Sequence, residues 1–223
     1  TYPYELSNEN AEKVYALNDL TIAVQINTKT ITRDVRMALF ATSNPTKETN
    51  TAAEGKNSRY VALGMNGSDA GYLASWKTGD RFTGGNAITS NTDNILVVYV
   101  VNPSANTFKA YVNGEEKFSK VNAHADGFMA GYEIATPKMV KADHTNAKIY
   151  IGGGKHSGGD GEVFNGTITS VRVYDGALTA EQIAALKPIY NIENEIASLE
   201  EAITNAQTLF EKIKNFCYNI NIR

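Results

Sequence analysis

The residues able to do chemistry are few, and their spacing rules out more than it suggests. The three histidines, His124, His144 and His156, are too far apart in the chain for zinc-ligand spacing. Cys217 is the single cysteine, so no disulfide can form within the chain. It falls on an apolar helical seam, where it reads as a packed residue rather than a nucleophile. Glycoside hydrolysis needs two carboxylates close together, one with its pKa raised for acid work. No Glu-x-Asp-x-x-Glu run occurs in residues 1–187. Glu115 and Glu116 follow a hairpin turn and read as solvated. Asp160 and Glu162 stand two apart in a glycine-rich loop, as exposed carboxylates or as a sugar or metal contact. The run from Gly152 to Gly159 lacks the order of a phosphate-cradling loop and opens no long helix. No catalytic residue is assigned.

Holding a sugar asks for different chemistry: an aromatic face for the ring C–H groups and a few fixed polar groups for the hydroxyls. Trp76 is the only tryptophan. Period-two alternation in Gly71–Lys77 puts Tyr72, Ala74 and Trp76 on one face of a strand, with Leu73 and Ser75 on the other. Tyr60, on the neighbouring strand, extends the platform. Arg59 and Arg81 supply donors, and His156 and Glu162 come from the glycine-rich loop. Trp76 suits a core position as well as a ring platform, and each arginine also reads as a plain surface residue.

These positions need strands to hold them, and residues 1–187 read as many short strands separated by turns. Leu20–Ile26 alternates with period two; Arg36–Thr42, Tyr60–Met65 and Gly71–Lys77 read similarly. Ile95–Val101 is apolar on both faces, as the central strand of a sandwich should be. Asn102–Asn106 turns the chain into Thr107–Asn113, and Asn113-Gly114 is a type I′ hairpin signal. Thr179 and Gln182 have the spacing of a capping box for a short helix over Ala180–Leu186. With no long helix between strands, the fold class is all-β, an antiparallel two-sheet jelly-roll sandwich followed by a C-terminal α-helical extension.

The extension, residues 188–223, repeats apolar residues at alternating spacings of three and four: Ile189, Ile192, Ile196, Leu199, Ile203, Ala206, Phe210, Ile213, Cys217 and Ile220. This predicts a helix over 189–217 that docks on another helix or domain, or that self-associates as a coiled coil; the third reading is a disordered tail. A net charge of −3 leaves no excess of cations for nucleic acid. The longest apolar run, Ile95–Val101, is too short for membrane insertion through a helix. No signal-peptide pattern opens the sequence, which says nothing about export.

Three segments give the chain a resemblance to the concanavalin A-like, laminin-G-like jelly rolls. They are Leu20–Ile26, the pair Asn94–Asn102 with Thr107-Phe-Lys-Ala-Tyr-Val-Asn-Gly-Glu115, and Ile149–Leu186 with its Phe-x-Gly-x-Ile-x-x-Val-x-Val-Tyr-Asp-x-Ala-Leu-Thr-x-Glu-Gln-Ile ending. Leu39–Ser43, Arg59–Gly64, Ile151–His156 and Val171–Thr179 further resemble the lectin-like, sialic-acid-binding module found beside the catalytic propeller of bacterial sialidases. The resemblance implies a non-catalytic carbohydrate-binding module, secreted or on the bacterial cell surface. Its implied partners are a glycan, sialylated or mucin-type, and a catalytic domain in the same full-length chain. The other reading is a laminin-G-type structural or protein-interaction domain. A structural calcium is common in such sandwiches, but no signature singles out Asp19, Asp93, Asp160 or Asp175, so no cofactor is assigned.

The chain departs from this family at the ligand. The sialic acid binders carry an acid and an arginine two positions apart on one strand, and a second arginine after the Ile-Gly-x-x-Lys stretch. Here those positions are Ala74, Trp76 and His156. A guanidinium pair on a sugar carboxylate is not replaced by tryptophan or neutral histidine without loss of charge and geometry. The family's own binding mode is not expected, unless Arg59 or Arg81 reaches the site from elsewhere.

Overall fold

The computed structural model describes residues 2–31, 35–42, 60–75, 80–121, 134, 136–143, 147–154, 163–186 and 199–211. By its contacts the chain divides into two units, Thr1–Pro188 and Ile189–Arg223. The first unit is a sandwich of two antiparallel sheets. One has six strands in the order β1 (Tyr4–Glu5), β10 (Lys148–Ile151), β3 (Val35–Thr42), β4 (Tyr60–Asn66), β5 (Asp69–Ser75) and β6 (Asp80–Gly84). The other has five, in the order β11 (Gly166–Asp175), β2 (Leu20–Thr28), β7 (Ile95–Asn102), β8 (Thr107–Val112) and β9 (Glu115–Val121).

The strand that is apolar on both faces, β7, is the middle strand of the five-stranded sheet. Its Val97, Tyr99 and Val101 face the sandwich core, while Leu96, Val98 and Val100 face outward. The outward set is covered by the short helix α3 (Ala180–Ala185), whose Ile183 is fully buried there. The predicted capping box holds this helix in place: Gln182 N donates to Thr179 Oγ1 at 3.2 Å, and Thr179 N donates to Gln182 Oε1 at 2.8 Å. Asn113 and Gly114, both at positive φ, join β8 to β9.

Two further helices carry weaker sequence signals. Helix α1 (Asn8–Tyr15) starts at Ser7, which accepts from Asn10 N, and a Glu9–Lys13 pair of 2.7 Å spans one turn. Its Ala11, Val14 and Tyr15 are buried at helical spacing. At eight residues it is too short to stand out as a periodic run. Helix α2 (Pro137–Asp143) opens on a proline, tolerated at a first helical position. Beyond the sandwich, residues 199–211 form a helix, α4. No helix among the described residues is long and apolar enough to cross a membrane.

Two contacts lock the sheets together. Gly71 and Gly84 are cross-strand partners on β5 and β6. A Cβ on either would stand 2.5–2.6 Å from the Phe118 ring of β9, so the missing side chains make the slot that Phe118 fills. Deeper in the core, the Tyr99 hydroxyl donates to the Gly64 carbonyl of β4 at 2.6 Å. A register shift between Gly64 and Asn66 interrupts the β4–β5 ladder at this point. Tyr99 is fully buried, which pushes its ionisation well above the usual tyrosine range and keeps the donor proton in place. Tyr99→Phe leaves the Gly64 carbonyl without that donor. The expected loss is about 1–2 kcal/mol, a fall in Tm of roughly 2–8 °C. Thermal unfolding checks it, and an unchanged Tm would contradict this role.

Candidate ligand-binding face

The alternation that sends Leu39, Leu63 and Leu73 into the core turns the residues between them to the outer face of the six-stranded sheet. Phe40, Tyr60, Ala62, Tyr72 and Tyr150 form one cluster there. Strand pairing sets them in register: Glu5, Tyr150, Phe40, Ala62, Ala74 and Arg81 are successive Cα partners across all six strands. Tyr60 flanks this row as the partner of Thr42, and Tyr72 flanks it on the other side as the partner of Gly64.

Tyr60 and Tyr72, expected on one face from the sequence, do share this cluster, and Leu73 points the other way. Arg81 lies on β6 as the partner of Ala74. Arg59, Trp76, His156 and Glu162 lie outside the described residues, as do the loop carboxylate Asp160 and the histidines His124 and His144. The rings are less open than a flat platform would be: Tyr60 is 9% exposed and Tyr72 4%. Phe40 and Tyr60 pack at 5.4 Å between ring centroids, tilted by 47°.

Part of the cover comes from the glycine-rich run. Gly152, at φ +76°, lies against the Tyr2 ring, and Gly154 lies directly on Phe40; a Cβ at either position would collide with those rings. Gly152 is also tied into the fold, its N–H donating to Met37 O at 3.0 Å and its carbonyl accepting from Phe164 N at 3.0 Å. These glycines are therefore required for close packing, whatever the rest of the loop does.

The row ends on an electrostatic group that sequence reasoning missed. Lys148 Nζ sits 2.8 Å from Glu5 Oε1. That hydrogen bond, with the lysine charge and a bond from Tyr150, holds the Glu5 carboxyl below its ordinary range against some desolvation. Tyr150 is pushed up to about 12, chiefly by burial and then by the Glu5 charge, so its hydroxyl stays a donor. Elsewhere, Glu115 and Glu116 are exposed and each pairs with a lysine, Lys117 at 2.6 Å and Lys109 at 2.9 Å. Asp19 accepts from Ser104 N and Oγ and thereby staples the turn after β7. Among the described residues no group of three or more His, Cys, Asp or Glu side chains converges as a metal site would require.

A second concavity, an open cavity of about 640 Å³, lies where β1 and α1 meet β11. Leu6, Val14, Leu17, Ile168 and Val171 are among its walls. Ser170, also in the lining, has a buried hydroxyl with no hydrogen-bond partner. The cavity walls are largely apolar, with Tyr4, Asn10, Lys13, Thr169 and Asp175 among the polar residues that also line it. The outer sheet face carries three tyrosine hydroxyls, Thr42, Glu5 and Lys148.

The fold has known relatives. Residues 6–184 match the family model Laminin_G_3, and the chain belongs to the concanavalin A-like lectin/glucanases superfamily. Among solved structures it is similar to the CBM40 domain of a Ruminococcus gnavus IT-sialidase, determined bound to alpha2,3 sialyllactose. Identity there is 19%, over 84% of this chain and 92% of that one, with a TM-score of 0.59. It is also similar to a leech intramolecular trans-sialidase complexed with 2,7-anhydro-Neu5Ac, at 18% identity over 85% of this chain and 27% of that one, TM-score 0.57. The NanB sialidase from Streptococcus pneumoniae matches at 16% identity over 83% and 27%, TM-score 0.51. At these identities the likeness is one of fold. No curated protein matches the chain.

The Glu5 group gives a measurable consequence. Because its folded-state pKa is depressed, its stabilisation is complete above the ordinary carboxylate range and is lost as pH falls through the folded value. Lys148→Met is expected to move the Glu5 titration upward toward its ordinary value and to soften the acid limb of the stability curve. A carboxyl-detected NMR titration checks this; an unmoved Glu5 would show that the lysine does not set its charge.

Proposed function

We propose that this chain is a non-catalytic carbohydrate-binding module, a jelly-roll domain over residues 1–187 with a helical extension over 188–223. In this reading it is an accessory domain of a secreted or surface bacterial glycosidase of sialidase type. The observation that supports it most is the row across the six-stranded sheet, with small Ala62 and Ala74 at its centre, Tyr60 and Tyr72 on its flanks and Arg81 at its far strand. Ala62 is fully buried and the tyrosines nearly so, and we take them as the packed floor of the proposed site. Trp76, Arg59, His156 and Glu162 complete the proposed site around that floor.

The similar fold of a module determined with sialyllactose supports a glycan as the ligand. Ala74 and Trp76 stand where the resembling family places its acid and arginine, so the proposed cationic contact shifts to Arg81 on the adjacent strand. Among the described residues, the carboxylate on this face, Glu5, is held toward its ionised form. A general acid for glycoside cleavage needs the opposite shift. The module works by attachment: weak binding raises the concentration of glycan near a catalytic domain in the same chain.

A glycan array with sialylated, mucin-type, galactose-ended and N-acetylglucosamine-ended structures tests this. Binding to sialylated or mucin-type glycans is expected, with no turnover of an aryl glycoside. Arg81→Ala, with Tm unchanged, is expected to weaken binding roughly tenfold to a hundredfold, the effect of one charge-assisted contact. If no glycan binds, a laminin-G-type structural or protein-interaction domain is the correct reading.

A further inference from the structure

Strands β1 and β11 are end strands of their sheets, and the open cavity lies where they meet α1. Among the described residues of the first unit, the large hydrophobic side chains left exposed are Tyr4, at 58%, and Val173, at 38%. Both line this cavity. Apolar exposure gathered at one concavity is the mark of a binding surface. The backbone beside it says what binds. Strand β11 is ten residues long, and no strand among the described residues pairs with its outer edge. In an antiparallel ladder, alternate residues turn their N–H and C=O toward the partner and away from it. The bond from Gly176 N to Asp19 O fixes the phase. Arg172 and Tyr174 then bond toward β2, and Val171, Val173 and Asp175 turn their backbone groups outward. All three line the cavity.

One outward position is already satisfied from within the chain. On the far side of the register shift, Ile168 also faces outward, and the Tyr2 hydroxyl accepts from its N–H at 2.6 Å and donates to its carbonyl at 3.4 Å. These are the two bonds that a residue of an adjoining strand would make. The three positions that follow have no such stand-in. We propose that this edge, from Val171 to Asp175, takes an extended peptide segment of a protein partner, which adds to the five-stranded sheet as a further strand. The peptide backbone meets the outward N–H and C=O groups, and its apolar side chains, at alternate positions, enter the cavity beside Leu6, Leu17 and Val171. Charge agrees with a neutral backbone as the ligand. Lys13 and Asp175 are the charged residues of the lining, one of each sign, and Lys13 is already held by Glu9 at 2.7 Å. A small apolar molecule would fill the cavity but leave the edge groups unmatched. This inference shares no residue with the proposed glycan site and is independent of that reading.

Amide hydrogen exchange on the isotope-labelled 223-residue chain reads this edge directly. In the free chain the amides of Val171, Val173 and Asp175 are expected to exchange rapidly, and those of Arg172 and Tyr174 to be protected. The probes are capped ten-residue peptides that alternate threonine with valine, leucine or phenylalanine. At least one is expected to bind saturably and to slow exchange at the three outward amides about tenfold or more. The same peptide N-methylated at alternate amides keeps its side chains but loses its donors, and is expected not to bind. Val173→Pro removes one outward N–H without breaking a bond to β2, and Val173→Lys places a charge on the edge. Each is expected to weaken binding about tenfold or more; the lysine variant, which keeps every backbone group, carries the test if the proline variant does not fold. Outward amides already protected in the free chain would overturn the proposal, because the edge is then occupied from within. Equal binding of the N-methylated peptide would overturn it in favour of an apolar ligand that fills the cavity alone. Binding by none of the probes, or binding unchanged by Val173→Lys, would also overturn it.

Discussion

The two sheets of this molecule must stay face to face, and the Tyr99 hydroxyl bond to Gly64 shows what that requires. A backbone carbonyl buried in the sandwich has no water to accept from, so a side chain of the opposite sheet must supply the donor. Tyr99 does so from the middle strand of its sheet, where it is fully enclosed and cannot swing away. Its ring stacks with Phe108 at 6.3 Å, and Phe108 packs on Phe118 at 5.7 Å. Phe118 fills the slot between Gly71 and Gly84. One aromatic chain therefore runs from the polar cross-link at β4 to the far edge at β6.

That chain also positions the outer face. Strands β4, β5 and β6 are the ones gripped from inside, by Tyr99 at Gly64 and by Phe118 at Gly71 and Gly84. Their opposite surfaces carry Tyr60, Ala62 and Tyr72, and Ala74 and Arg81 follow Ala62 as successive register partners. The other end of the row, at β1 and β10, is held differently, by the Lys148–Glu5–Tyr150 group and by Gly154 lying on Phe40.

Where an element follows from local chemistry, the sequence made it legible. The double-sided apolar run at β7, the Asn113-Gly114 turn, the Thr179–Gln182 capping box and the alternation on β5 each need only neighbouring residues. The two-sheet sandwich followed from their order. Helix α1 did not show, because eight residues leave only three buried positions to read. The Phe118 slot did not show because Gly71 and Gly84 acquire meaning only once another strand crosses them. The face was legible in part: the alternation separated Tyr72 from Leu73. The row needed six strand registers at once, and no local pattern encodes those. Glu5 and Tyr150 were missed for that reason, since they are 145 residues apart and become neighbours only when β1 pairs with β10. The near-complete burial of Tyr60 and Tyr72 was equally hidden, since alternation gives a side and not its cover.

The central claim is that the outer face of the six-stranded sheet takes the ligand. An NMR titration of the isotope-labelled chain with sialyllactose tests it most directly. The account predicts saturable amide shifts at Tyr60, Ala62, Tyr72, Ala74 and Arg81, with the five-stranded sheet unmoved. Shifts confined to the β1–β11 cavity, or no saturable shift with any glycan, would contradict it.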